Sequence, residues 1–253
     1  MSTQFLRTSQ IARAVGVHPN TVRLYEEWGF LGSIPRSRSG YRRFTTTHLE
    51  QMKLARIALK WPYPGGKRVV IDLVKHAAQA NLGESLELAY KFLAQVQAEQ
   101  VHAETAVIFL EQWAQGQAMD TTKRPLQIGE AAERLAVSAD MLRNWERNGL
   151  LTVPRDPRNC YRLYGMQEIG RIRVIRMLRQ AGYSVMSILR MLRRFDAGET
   201  KNLRHALDTP DPQEDIYYVS DNWLTTLAEV EQRAQAIIRQ LNTMMDSTLL
   251  RKT

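Results

Sequence analysis

Sulfur chemistry is almost missing from this chain. Its 253 residues include one cysteine, Cys160, so no disulfide can close within the chain and no Cys-rich metal site can be built in it. Long apolar runs are missing too, and with them any expected membrane span. The opening stretch MSTQFLRTSQIARAVG lacks the extended apolar core and cleavage site of a signal peptide. The expected compartment is therefore the cytoplasm. There is no P-loop and no nucleophile elbow, and His18, His48, His76, His102 and His205 show no paired metal spacing. These absences point away from an enzyme: no catalytic residue, metal or cofactor is expected.

Acidic charge is scarce in two places and concentrated in two others. The net charge is +9, but residues 1–60 carry ten Lys and Arg against three Asp and Glu, while residues 84–122 carry one against six. Residues 123–195 return to fifteen against six, and residues 196–253 to six against ten. Positive charge thus comes in two blocks, each followed by an acidic one, and by itself leaves nucleic acid, a membrane surface or no particular partner open.

The sequence repeats with the same period. VRLYEEWGFL from Val22 is echoed by LRNWERNGLL from Leu142, and the pairs Arg23/Arg143, Glu26/Glu146, Gly29/Gly149, Tyr41/Tyr161, Arg42/Arg162 and Phe44/Tyr164 are each 120 residues apart. Within each copy, a short amphipathic segment (SQIARAVG, GEAAERLA) is followed by a tight turn at Gly16 or Ala136. A second helix then begins at Pro19, or after the N-cap Ser138, and stops at Gly29 or Gly149. Helix, short turn, helix is the spacing of a DNA-binding helix-turn-helix. The stretches FLGSIPRSRSGYRRFT and LLTVPRDPRNCYRLYG then predict a two-stranded hairpin, or wing, and further helices follow over THLEQMKLARIALK, QEIGRIRVIRMLRQAG, Val69–Lys75 and Val185–Arg194.

A recognition helix presents its N-terminal part to base edges, which nominates Pro19, Asn20 and Arg23 in the first copy and Ala139, Asp140 and Arg143 in the second. Asn can pair with adenine and Arg with guanine, and Asp140 can accept from a cytosine amino group. The wing candidates are Arg38, Tyr41, Arg42 and Arg43 with Arg158, Tyr161 and Arg162, expected on phosphates, or, for the tyrosines, packed beneath the wing. Cys160 stands where the first wing has Gly40; a turn requiring positive φ there would force a change in the second wing.

IARAVGVHPNTVRLYEEWGFL…RSGYRRF resembles the winged helix-turn-helix of the MerR family of bacterial transcription regulators. IGEAAERLAVSADMLRNWERNGLL…YRLY…IRMLRQAGYSVMSILRML resembles a second copy. The resemblance covers roughly residues 7–75 and 126–195. It implies a mainly α fold of two winged helix-turn-helix domains, each with a small β-hairpin wing and followed by a long coiled-coil-type helix. It also implies backbone contact for Tyr25, whose counterpart Trp145 offers an indole N–H. Its expected partners are double-stranded DNA and RNA polymerase at a promoter, within the nucleoid and with no membrane.

The two long helices have candidates in Leu82, Leu86, Ala89, Leu93, Val96, Ala103, Val107 and Leu110, and in Leu227, Val230, Ala234, Ile237, Leu241, Met244 and Thr248, spaced as in a coiled coil. The expected domains are 1–80 and 123–196, with 81–122 a long helix and linker and 197–253 an acidic loop and C-terminal helix. Helices 84–114 and 221–250 could pair antiparallel within one chain, making a monomeric pseudo-dimer, or between chains in a homodimer. Both are acidic, so apolar burial would have to drive the pairing. The residues leave open a promoter regulator, an excisionase-like DNA-bending factor of a mobile element, or a small-molecule sensor with one inactive copy. Aromatics at Trp61, Tyr63, Trp113, Tyr217, Tyr218 and Trp223 are candidates for a ligand pocket or plain core.

Overall fold

The computed structural model describes residues 5–117, 120, 123–209 and 219–249, the side chains of residues 219 and 220 excepted. Among them the chain is mainly α, with eleven helices. The first copy opens with α1 (Thr8–Ala14) and α2 (Pro19–Glu27). His18 caps α2, its Nδ1 accepting from the Asn20 amide at 3.2 Å, and Pro19 takes the first helical position, where no backbone donor is needed. The chain leaves α2 through Gly29 at φ +75°, a left-handed turn that ends the helix. The wing follows, closed by a bridge between Arg36 and Arg42. Its last residue, Phe44, exchanges two backbone hydrogen bonds with Leu6, at 2.8 and 3.0 Å. α3 (Thr46–Ala58), α4 (Arg68–Ala78) and the long α5 (Leu82–Ala114) come next.

The second copy repeats this order in α6 (Ile128–Arg134), α7 (Ala139–Arg147), a wing bridged between Arg155 and Arg162, α8 (Met166–Gln180) and α9 (Val185–Asp196). Ser138 caps α7, accepting from the Met141 amide at 3.0 Å. α10 (Leu203–Asp208) and α11 (Trp223–Leu249) complete the described chain. Residues 210–218, with Tyr217 and Tyr218 and most of the acidic loop, lie outside the described residues.

The period of 120 is not kept throughout. Arg43 N donates to Pro35 O in the first wing and Leu163 N to Pro154 O in the second, so Pro35 corresponds to Pro154 and not to residue 155. Thr152 stands alone where the first copy has Gly32 and Ser33, and the second wing recovers the residue at its tip. Cys160 keeps the left-handed turn, at φ +60° against +81° for Gly40, with its thiol exposed. The turn therefore tolerates the substitution, and the second wing differs from the first by one extra residue in the tip.

Two compact units divide between Glu99 and Gln100 and again between Thr226 and Leu227. Each long helix therefore supplies both. In the first unit, buried Ala89, Phe92 and Val96 of α5 join Val230, Ala234, Ile237, Leu241 and Met244 of α11 in one apolar cluster with Ile11, Val22, Phe44, Met52, Leu54 and Leu73. Polar bonds border it: Gln97 Nε2 donates to Glu231 Oε1 at 3.0 Å, Gln240 Nε2 to Glu50 Oε2 at 2.7 Å, and Arg233 to the Pro62 carbonyl. Thr248 departs from the predicted row. It lies exposed in the last turns of α11, its hydroxyl donating to Met244 O at 2.8 Å.

In the second unit Ala103, Val107 and Leu110 of α5 are buried, as are Leu142, Leu150, Ile172, Ile175, Leu178 and Tyr183. Asp120, with a fully buried side chain, lies 2.7 Å from Arg134 Nη2 and 3.1 Å from Arg173 Nη2, fixing this linker residue to α6 and α8. Asp208 accepts from the Leu224 amide at 2.9 Å and so caps α11. The remaining candidate aromatics have separate surroundings. Trp61 is 65% exposed, Tyr63 sits beneath Arg233, Trp113 stacks on Phe195, and Trp223 Nε1 donates to Ala181 O.

Tyr164 occupies the place of Phe44 and is equally buried, but its hydroxyl has no hydrogen-bond partner among the described residues. Burial pushes its phenol up from the usual tyrosine value. An unsatisfied buried hydroxyl costs about 1–3 kcal/mol, so Tyr164→Phe is expected to raise the urea midpoint of the protein; a lowered midpoint would show that the hydroxyl is in fact supported.

His48 predicts a pH effect. Its ring is buried, with Nδ1 accepting from Thr45 N at 2.9 Å and Nε2 donating to Ser33 O at 3.2 Å, a pattern only the neutral ring completes. Burial lowers its pKa, partly opposed by the Ser33 carbonyl and the charge of Glu26. Because the unfolded chain binds the proton more readily, stability is complete above the ordinary histidine value of about 6.5 and falls as pH drops from there toward the folded pKa. His48→Gln keeps an acceptor for Thr45 and should remove this component between pH 7 and 5 in chemical denaturation.

Candidate nucleic-acid interface

α2 has two faces because Val22 and Tyr25, three apart, point into the core while Asn20 and Arg23 point out. Asn20 Oδ1 accepts from Arg23 Nη1 at 3.2 Å, which orients both polar groups along one edge. α7 is built in the same way: Leu142 and Trp145 are buried, Asp140 and Arg143 exposed, and Arg143 Nη1 lies 2.6 Å from Asp140 Oδ1. The amide of the first copy is thus exchanged for a charge in the second. Pro19 and Ala139 are partly buried at the first helical positions.

Each wing is attached to its recognition helix by one carboxylate. Arg42 Nε donates to Glu26 Oε2 at 2.5 Å, with Arg36 3.9 Å from the other oxygen. In the second copy Arg162 Nε donates to Glu146 Oε2 at 2.6 Å, with Arg155 at 3.5 Å. Arg36 and Arg155 also reach back to the carbonyls of Gly40 and Cys160 at the wing tips. This anchoring set of Glu26, Arg36, Glu146 and Arg155 was not nominated from sequence. The signal was present: a glutamate repeated within each basic surface needs cationic partners.

The nominated wing residues divide accordingly. Arg42 and Arg162 are partly buried in these pairs, whereas Arg38, Arg43 and Arg158 are exposed. Tyr41 and Tyr161 are 75% and 61% exposed, so they are not packed beneath the wing. Tyr25 and Trp145 are buried, Tyr25 with its ring edge-on to Phe30 at 5.6 Å. Arg43 lies 3.6 Å over the Phe5 ring, which holds the guanidinium in place while leaving it exposed. Between α1, α2 and the first wing runs an open groove of about 690 Å³, where Arg7, Thr8, Pro19, Arg23, Tyr41 and Arg43 meet. Arg7 and Thr8 are additions to the sequence nominations. With Arg42, which is paired to Glu26, four guanidinium groups line one groove, a setting that suits an anionic backbone.

Two exposed reading helices, each with an arginine-bearing wing beside it, define a tandem winged helix-turn-helix protein, the class built to meet duplex DNA. Residues 6–60 and 126–194 both match the MerR HTH family of regulatory proteins. The chain belongs to that family and carries its unit twice.

Among curated proteins, a mercuric resistance operon regulatory protein of Bacillus cereus is 31% identical over 75 residues, 30% of this chain and 57% of the relative. The transcriptional regulator CueR of Escherichia coli is 26% identical over 120 residues, 47% of this chain and 78% of the relative. A heavy metal-dependent transcription regulator of Rhizobium meliloti is 34% identical over 67 residues, 26% of this chain and 46% of the relative. The chain thus spans only about half the length of the Bacillus and Rhizobium proteins. No solved structure matches.

Proposed function

We propose that this protein is a sequence-specific, double-stranded-DNA-binding regulator of transcription rather than an enzyme, acting on promoter DNA in the cytoplasm by bending or twisting it. The observation that carries this reading is the doubled reading head, exposed Asn20–Arg23 in one unit and Asp140–Arg143 in the other, each beside a wing fixed by a Glu–Arg pair. Exposed Arg38, Tyr41, Arg43, Arg158 and Tyr161 would contact phosphates and set register. Arg42 and Arg162 would chiefly hold the wings in place. Deformation of the bound duplex would supply the regulatory energy.

One chain would act as a pseudo-dimer, with residues 1–80 and 123–196 as its two reading domains. Support comes from α11, which follows the second copy in sequence yet contributes to the core of the first unit, and from α5, which contributes to both. Holding a soft metal through protein thiolates takes two or more sulfurs, and this sequence has one, exposed on a wing. A metal signal of the kind two relatives are named for is therefore not proposed.

Since the two reading pairs differ, the operator should be asymmetric, Arg-directed to guanine in both halves but with an adenine preference only beside Asn20. Mapping bound DNA across the genome and selecting sites from random duplexes tests both points. Peaks between promoter elements with non-palindromic sites are expected. Peaks confined to mobile-element ends would replace promoter regulation with DNA architecture, and perfect palindromes would remove the asymmetric pseudo-dimer.

A further inference from the structure

In the second unit, α5, α8 and α9 border an open cavity of about 510 Å³. Its aromatic wall is Trp113 stacked on Phe195, ring centroids 4.2 Å apart and planes inclined by 31°, both rings partly exposed. Its polar wall is Arg171, Asp196 and Glu168. Arg171 gives Nε to Leu150 O at 2.8 Å and both terminal nitrogens to Asp196, at 2.5 and 2.8 Å, so that carboxylate offsets its charge. Glu168 accepts from the Gly165 amide at 2.8 Å and leaves the lining with a formal excess of one negative charge.

The corresponding place in the first unit is largely filled. Gln51 stands where Arg171 does, and its amide bonds Gly32 N at 2.9 Å, Ala77 O at 3.1 Å and Ala78 O at 3.2 Å. Gly32 makes this possible by close approach: a Cβ on it would lie 2.9 Å from Ala78 O. The second copy has Thr152 alone in place of Gly32 and Ser33, and the penultimate residue of its helix is Phe195 where α4 has Ala77. The cavity beside Gln51 holds only 180 Å³. Three departures from the repeat, Gln51 to Arg171, Ala77 to Phe195 and the lost residue before the wing, coincide at one opening. Divergence concentrated in this way suits a ligand better than it suits packing.

We infer that the Trp113–Phe195 cavity is an effector site for a flat aromatic cation. Ring faces offer stacking and cation–π attraction, and the acidic excess selects for positive charge. The volume falls within the range of about 300–1,000 Å³ usual for small-molecule sites. Thr152 leads directly into Val153 and Pro154 at the base of the second wing, so an occupant there touches the segment that positions Arg155 and Arg158. The regulatory part of this inference rests on the DNA-reading function proposed above; binding itself does not.

The test is a fluorescence-polarisation titration of proflavine, a three-ring cation, with the full chain and no DNA. The anion 2-anthracenesulfonate serves as the counter-probe. Saturable proflavine binding is expected, weakened tenfold or more by Trp113→Leu and selectively by Glu168→Gln and Asp196→Asn, with little binding of the anion. Phe195→Leu replaces Trp113→Leu if that variant fails to give a cooperative melt. Absence of saturable binding, equal binding of the anion, or binding unmoved by the ring and carboxylate substitutions would each overturn the assignment. Because no DNA is present, failure of the DNA-reading function would leave this result interpretable, and an inert cavity would leave DNA binding untouched.

Discussion

Arg23→Ala should weaken binding to a selected operator by about 1–3 kcal/mol and relax sequence preference at one position of one half-site. Arg23 is exposed on α2, oriented by Asn20, and takes no part in the Glu26 pair that holds the wing. Its removal would therefore take away the proposed base contact and leave the rest of the surface in place. The second copy makes the comparison informative. Arg143 is already held 2.6 Å from Asp140, an exposed pair that DNA must rearrange or use jointly.

If both units read DNA, Arg143→Ala costs a similar amount and the double variant loses about the sum, since distant sites add. Asp140→Asn, which makes the second pair resemble the first, should strengthen binding and shift the second half-site toward adenine. Fluorescence anisotropy at one fixed salt concentration, repeated on operators mutated in each half, measures all four variants. An Arg143→Ala variant with unchanged affinity would mean that the second copy has left DNA reading.

Phe44→Ala should be the most damaging single core substitution in the first unit, at about 3–5 kcal/mol. The ring is fully buried and edge-on to His48 at 6.0 Å. Its backbone exchanges two hydrogen bonds with Leu6, which brings the start of the chain against the last residue of the wing. Truncation opens a cavity beneath α3 and loosens the wing where Arg43 projects. Measured against a typical total of about 5–15 kcal/mol, that loss consumes much of the margin. Urea unfolding should show a lower midpoint, and operator affinity should fall even where the variant remains folded. Phe44→Leu, which keeps most of the volume, should recover most of both. A Phe44→Ala protein with wild-type stability would show that the site collapses without cost.

Much of this molecule could be read from local chemistry. Pro19, Ser138, Gly29 and Gly149 mark helix ends because a missing N–H, a capping hydroxyl and a left-handed backbone act within a few residues. The 3.6-residue period predicted the inward faces of α1, α3, α6 and α8, and the repeat predicted that the fold occurs twice; the burial of Tyr25 and Trp145 on α2 and α7 appeared only in the structure. Asn20, Arg23, Asp140 and Arg143 were nominated from their place in the N-terminal part of a recognition helix, and all four lie exposed. What the sequence could not supply was the pairing of groups far apart along it.

Glu26 meets Arg36 and Arg42, Asp120 meets Arg134 and Arg173, and Trp113 meets Phe195 only once helices have packed, since these partners are separated by loops whose path no local preference sets. The one-residue slip around Gly32 was hidden for a related reason: a compensating residue at the second wing tip restores the register on both sides. The use of α11 in the core of the first unit was likewise decided by tertiary structure. Apolar spacing on a helix specifies that a face must be buried, and the surface that buries it is selected by the shape of the whole fold.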